Sequence, residues 1–344
     1  MSGTGIVLMN LGGPDSDAAV EPYLVNLFSD RAIIRLPNPL RWLIARMIAR
    51  RRGPLARQIF AKIGSASPLL QNTQAQAAAL ARRLGDGYQI VIAMRYWAPR
   101  AAEAAAALKA TGVERIVLLP LYPQFSTTTT ASSIVDWMQA AKRAGLAAPT
   151  RAICCYPAEA GFIAALARAI RQAIDEWPAE SGPPRLLLSA HGLPRRIVAR
   201  GDPYQSQVEQ TARAVCAALG HDIEAVVCYQ SRVGPLQWLT PATDAEIRRA
   251  GQEHRGLIVA PIAFVSEHSE TLVELDIEYR HLAAASGVPR YVRVATVGAA
   301  ESFAAGLATL VRDACAASEA GPFPEGGRPH CDAGLALCAR RTFG

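Results

Sequence analysis

No stretch of this sequence approaches the roughly 18 uninterrupted apolar residues of a membrane-spanning helix, although 51% of its 344 residues are hydrophobic. The short apolar start at residues 6–11 lacks a basic flank and runs into Gly12-Gly13-Pro14, which argues against a secretory leader. Lysine is scarce: Lys62, Lys109 and Lys142 are the only three among 36 basic residues. The net charge is +7, yet no polybasic tail or aromatic-interleaved basic stripe marks a nucleic-acid surface. Seven cysteines, an odd number in a chain this long, do not read as a disulfide framework, so a cytoplasmic protein is expected.

Motifs of several familiar chemistries are also missing. Neither Gly-x-Gly-x-x-Gly nor a phosphate-loop Gly-Lys-Ser/Thr occurs, which disfavours a dinucleotide-binding oxidoreductase. His268 and Glu270 stand in the wrong order for a zinc protease, with no second histidine four residues on. No nucleophile elbow or Cys–His pair offers covalent catalysis.

What is present is a regular alternation. Strand-like runs at 6–11, 88–96 and 114–120 are separated by helix-like runs, and the pattern restarts near residue 150 with strands at 185–190, 224–229 and 257–265. This predicts an α/β protein of two Rossmann-like halves, 1–150 and 151–298, each a parallel sheet flanked by helices. A last helix, 299–318, should pack back on the first half, leaving a cysteine-containing tail at 319–344. In such sheets ligands bind beyond the carboxyl ends of the strands. His191, residues 230–238 and residues 267–274 all fall there.

Glu267, Glu270, Glu274 and Glu278 recur at steps of three, four and four, which would stack them on one helical face. Four carboxylates there repel one another unless the face is wet or holds cations, so something positive is expected to pass along it. His191 can accept a proton near neutral pH or bind a borderline metal. Glu270 and Glu274 can carry protons or a divalent cation. With aromatic walls at Tyr96, Trp97, Trp238 and Phe264, the set suits an apolar planar ligand that meets a cation and loses protons. Residues 39–52 read as a basic amphipathic helix: Leu40, Leu43, Ile44, Met47 and Ile48 form one stripe, and Trp42 and five arginines fill the rest. Such a helix either packs on the core or faces a membrane at the pocket lip.

Asn10-Leu-Gly-Gly-Pro14, Arg95-Tyr96, Leu121-Tyr-Pro-Gln-Phe-Ser126, Ser189-Ala-His-Gly-Leu-Pro194, Gly201-Asp-Pro-Tyr204, Gln230-Ser-Arg-Val-Gly-Pro235 with Trp238-Leu239, and residues 261–279 resemble, in order, the signatures of the ferrochelatase family. The resemblance covers about residues 5–315 and implies insertion of ferrous iron into protoporphyrin IX in a cleft between two chelatase-like halves. The enzyme that metallates coproporphyrin III shares these motifs, and a porphyrin or haem carrier without catalysis is a further reading. By motif, His191 matches the histidine proposed as iron ligand or proton acceptor, and Glu270 its partner carboxylate, with His268 and Glu274 in the same signature. Arg95, Tyr96, Ser231 and Trp238 match positions that line or orient the macrocycle; Leu11 stands where some members carry methionine. His191 and Glu270, brought by two separate sheets, are expected to face each other across the ring centre. Peripheral association with the inner membrane is expected for the 39–52 helix.

Some members also hold a [2Fe–2S] cluster on thiolates. Here Thr127 stands where animal members supply a cysteine from the body, and the candidate ligands are Cys154, Cys155, Cys331 and Cys338. Cys216, Cys228 and Cys315 fit apolar faces and are expected in the core.

Overall fold

A computed structural model describes residues 3–220, 223–317, 322–327 and 335–339 of the chain. The strands are β1 (Thr4–Asn10), β2 (Tyr88–Met94), β3 (Arg115–Pro120), β4 (Thr150–Cys155), β5 (Arg185–His191), β6 (Ala225–Gln230), β7 (Leu257–Pro261), β8 (Tyr291–Arg293) and β9 (Pro322–Pro324). The helices are α1 (Val20–Phe28), α2 (Asn38–Ala61), α3 (Leu69–Leu84), α4 (Ala101–Thr111), α5 (Thr130–Ala144), α6 (Ala160–Asp175), α7 (Arg195–Val198), α8 (Tyr204–Leu219), α9 (Thr243–Gln252), α10 (Tyr279–Ala285) and α11 (Glu301–Ala316). A π-helix, Glu270–Glu278, precedes α10.

Every strand pairing is parallel. The first sheet has the order β2-β1-β3-β4-β9 and the second β6-β5-β7-β8. In each, the first strand of the half lies inside and the order reverses beside it, between β1 and β3 and between β5 and β7. Such switch points open a crevice at the strands' carboxyl ends. All seven residues of β1 are buried, as expected of a parallel strand covered by helices on both faces. β7 stops at Pro261, short of the expected residue 265, and one further ladder bond, from the Ile262 N–H to the Ser189 carbonyl at 2.9 Å, closes it.

The boundary expected at 150/151 falls at the start of β4, which pairs with β3, so the first sheet takes in residues up to Cys155 and also β9 from the tail. α11 packs on α3, α6 and strands β3 and β4. One apolar core runs through both sheets, joining Ile6, Leu8 and Leu119 to Leu186, Leu188 and Ile258. Buried amides stitch the two halves together. Gln76 of α3, 2% exposed, donates to the carbonyls of Val265 (2.8 Å) and Gly298 (3.0 Å) and accepts from Ser266 (3.0 Å). Gln124 donates to Thr211 (2.8 Å) and Ile262 (3.2 Å).

α2 is longer than the expected 39–52 segment and buries a different stripe. Ala45, Ala49 and Gly53, every fourth residue, face inward, where their small size lets α1 come close. Leu40, Trp42, Leu43, Met47 and Leu55 are between 48% and 61% exposed.

Candidate active site

His191 is the last residue of β5, at the switch point of the second sheet. Gly192 follows, where a Cβ would lie 2.7 Å from the carbonyl of Gln230 and 3.2 Å from the Trp238 ring. Only glycine lets the chain turn that closely over β6. Glu270 opens the π-helix after β7, the neighbour of β5, and its Oε2 lies 2.9 Å from His191 Nδ1. This corrects the expected arrangement. Both groups come from one sheet and touch, so no ring fits between them; they form a pair at the carboxyl ends of β5 and β7. His268 Nε2 lies 3.8 Å from the same Glu270 oxygen, and Phe264 packs against both imidazoles.

The pair is electrostatically coupled. Burial lowers the His191 pKa, but the adjacent Glu270 carboxylate more than offsets this and leaves it raised above 6.5. Burial would raise Glu270, yet His191 beside it holds it down at about 2. Both side chains keep an opening to solvent, 41% and 33% exposed, which softens the coupling. Burial keeps His268 below the ordinary imidazole value.

Glu274, one π-turn on, is held in a frame of donors. Ser231 sits at φ 62°, in the left-handed region that a serine seldom occupies. That turn brings both the Ser231 N–H (2.8 Å) and its hydroxyl onto the carboxylate. Gln230 (3.2 Å) and the Tyr279 hydroxyl (3.0 Å) donate to it as well. Burial and then the Glu270 charge raise the pKa of Glu274. Two neighbouring carboxylates are thereby pushed in opposite directions, which separates a charged group from one ready to carry a proton.

The expected row of four carboxylates is not a row. The wider π-turn places Glu270 and Glu274 inward, while Glu267 turns to Arg293 (2.6 Å) and the N–H of Thr296 (2.9 Å). Glu278 meets Lys62 of α2 at 3.1 Å.

The first half faces this pair with α1. Tyr23 of α1 is buried, and burial, then the Glu270 charge, pushes its phenol above its ordinary range. Leu11 is half-buried against the α1–α2 cluster. Tyr96 does not line the crevice: it is 1% exposed, and its hydroxyl donates to Asp30 at 2.7 Å. Arg95 donates to the same Asp30 oxygen at 2.9 Å and lies 3.5 Å from Asp136. Trp238 is half-buried and packs on Gly192 behind His191. Sequence reasoning missed Asp30, which carries Arg95, Tyr96 and Ser132 together. A lone aspartate after a helix gives no signal of three distant partners.

Among the described residues no three His, Cys, Asp or Glu side chains converge as the ligands of a resident metal ion. His191 and Glu270 are two donors, and a macrocycle would bring its own nitrogens. Cys154 and Cys155 are buried in one cluster with Phe125, Ala131 and Ala339, and Cys338, next in sequence to Ala339, is buried as well. A register shift between Ile153 and Cys155 breaks the alternation of β4, and the adjacent sulfurs lie 3.6 Å apart. Cys331 lies outside the described residues. Cys228 is fully buried, and Cys216 and Cys315 pack partly buried against the main core.

A family model described as Ferrochelatase matches residues 3–315. A ferrochelatase of Phenylobacterium zucineum is 51% identical over 346 residues, covering 98% of each chain. That of Caulobacter vibrioides is 50% identical over 315 residues, covering 90% of this chain and 89% of its own. Among solved structures, SirB from Bacillus subtilis with Fe3+ superposes with a TM-score of 0.53 at 12% identity, over 91% of this chain and 96% of that one. The sirohydrochlorin chelatase SirB with cobalt gives 0.51 at 12% identity, over 91% and 95%. At these identities the likeness concerns the two-sheet fold.

Proposed function

Because the chain belongs to the ferrochelatase family, whose members insert iron into a porphyrin to make haem, we propose that protoporphyrin IX is its porphyrin and that the metal exchanges for protons at the His191–Glu270 pair. The chain is an enzyme, a metal chelatase of the lyase class, and ferrous iron is its substrate. Entry of Fe²⁺ requires that two pyrrole protons leave. Neutral His191 accepts the first, and the Glu270 carboxylate 2.9 Å away stabilises the imidazolium that forms. Glu274, with its raised pKa, is the next carrier outward. The contact of imidazole and carboxylate at the switch point of the second sheet carries this reading. Arg95 and Tyr96 act on the macrocycle through the lip they brace, with Leu11, Ser231 and Trp238 at its borders. Metal insertion followed by porphyrin absorbance, with wild type and Glu270→Gln side by side, tests it; an unimpaired variant would remove Glu270 from the mechanism. Supplying protoporphyrin and coproporphyrin at equal concentration decides the substrate, and faster turnover of coproporphyrin would overturn that choice.

No described helix is long and apolar enough to cross a membrane. The exposed Leu40, Trp42, Leu43, Met47 and Leu55 beside Arg46, Arg50 and Arg51 support peripheral binding of a cytoplasmic enzyme to the inner membrane. Flotation with anionic vesicles should carry wild type and lose Leu43→Glu; wild type remaining at the bottom would refute this.

Two adjacent buried thiols, Cys154 and Cys155, packed against Ala339 next to the buried Cys338, suit the donor chemistry of a [2Fe–2S] cluster, and we assign Cys154, Cys155, Cys331 and Cys338 to it. When bound, such a group supplies one-electron chemistry or a structural clamp. Anaerobically purified protein without visible iron–sulfur absorption would exclude it.

A further inference from the structure

The main-chain carbonyl of His191 accepts a hydrogen bond at 3.0 Å from the hydroxyl of Tyr204, the first residue of α8, which is 8% exposed. Imidazole and carbonyl hang from one Cα at the end of a strand, so a donor on the carbonyl fixes the direction in which the imidazole leaves β5. Tyr204 is itself held. Its N–H donates to Asp202 Oδ1 at 3.1 Å, and the other oxygen of that 1% exposed carboxylate accepts from Ser126 (3.1 Å), the Thr127 N–H (2.8 Å) and the Thr127 hydroxyl (2.7 Å). Ser126 and Thr127 belong to the loop between β3 and α5, in the other half. The turn is gripped from a third side by the C-terminal segment: the Leu337 N–H donates to the Gly201 carbonyl at 3.1 Å. Gly201 has φ 96°, and a Cβ there would lie 2.6 Å from the Ala336 nitrogen, so the close passage of the tail depends on glycine. The same tail buries Ala339 against Phe125, Ala131, Cys154 and Cys155.

We propose that Tyr204 is a positioning residue for His191, and that Asp202 and the segment 335–339 form a strap that keeps it in place. The proposal rests on His191 acting in metal insertion. Its consequence is that tail docking and imidazole placement are linked: whatever loosens residues 335–339 is felt at His191 without touching the porphyrin.

Tyr204→Phe removes one hydroxyl and keeps the ring in its packing. Turnover per porphyrin-binding site, counted by fluorescence quenching, should fall about fivefold to tenfold, the value of one hydrogen bond. KM for the porphyrin should stay within about twofold, because the deleted hydroxyl bonds to the main chain of His191 and not to the substrate. In protein labelled at histidine Cε1, the His191 resonance should move while those of His254 and His281 stay fixed. Gly201→Ala, which displaces the tail in the full-length protein, should move the same resonance in the same direction. In a His191→Ala background, Tyr204→Phe should cause no further loss, because its partner's imidazole is gone. An unmoved His191 resonance and unchanged turnover in Tyr204→Phe would overturn the positioning role, and an unmoved resonance in Gly201→Ala would overturn the strap. Near-normal insertion by His191→Ala alone would instead sink the function assigned to that residue and leave the resonance measurements to judge the geometry.

Discussion

Asp30→Ala should be the most damaging single change outside the His191–Glu270 pair, and the structure lets its size be worked out. The carboxylate accepts from Arg95 (2.9 Å), the Tyr96 hydroxyl (2.7 Å), the Ala32 N–H (2.8 Å) and Ser132. Its side chain is 5% exposed and that of Arg95 16%. Removing one partner of a buried ion pair costs about 3–5 kcal/mol, because the other charge stays behind without compensation. Arg95 keeps Asp136 at 3.5 Å, which moves the cost to the lower end of that range. The Tyr96 hydroxyl is left buried without its acceptor and adds about 1 kcal/mol or more. A total of about 4 kcal/mol should lower the melting temperature by about 5–6 °C in a chain of this size. Circular dichroism melts at one scan rate measure it. With Arg95 adrift, KM for the porphyrin should rise severalfold while kcat changes less, the signature of weakened uniform binding. A melting temperature within about 1 °C of wild type, with KM unchanged, would refute the claim that Asp30 braces the lip.

The Glu270 carboxylate raises the His191 pKa above 6.5, so below that raised value the imidazole is protonated and cannot take a pyrrole proton. The acid limb of the kcat/KM profile should therefore lie above pH 6.5 in wild type and move to lower pH in Glu270→Gln; a shift to higher pH would contradict the coupling. Gln76→Leu takes the amide from the Gly298 carbonyl and the Ser266 hydroxyl, while the Val265 carbonyl keeps the Gly298 N–H at 3.0 Å, and should cost about 1–3 kcal/mol in a urea titration. A change under about 0.5 kcal/mol would mean that the amide is not what joins them.

The alternation of strands and helices was legible because a parallel strand buried on both faces is a dense apolar run, and β1, β3, β5 and β7 all are. The His191 turn was legible because a histidine closing such a strand and followed by glycine marks the carboxyl end of the sheet, where ligands bind. The row of glutamates misled because steps of three and four assume 3.6 residues per turn, and the segment winds as a π-helix from Glu270. Glu267 and Glu278 are turned to partners distant in sequence, Arg293 and Lys62, which no local pattern announces. Tyr96 misled for a related reason: its hydroxyl is taken up by a buried partner, Asp30, 66 residues away in sequence. The exposed stripe of α2 could be read as a stripe but not as exposed, because Ala45, Ala49 and Gly53 carry no hydrophobic signal strong enough to claim the inner face. The Cys154–Cys155 contact depends on a register shift that adjacent cysteines do not reveal.

Ferrous iron insertion by His191→Ala, with porphyrin affinity determined in parallel, decides whether the imidazole is the proton acceptor. Removing a positioned proton acceptor should reduce turnover about 10²–10⁴-fold while the macrocycle binds as before. Insertion near the wild-type rate would mean that the imidazole beside Glu270 is not where the protons go.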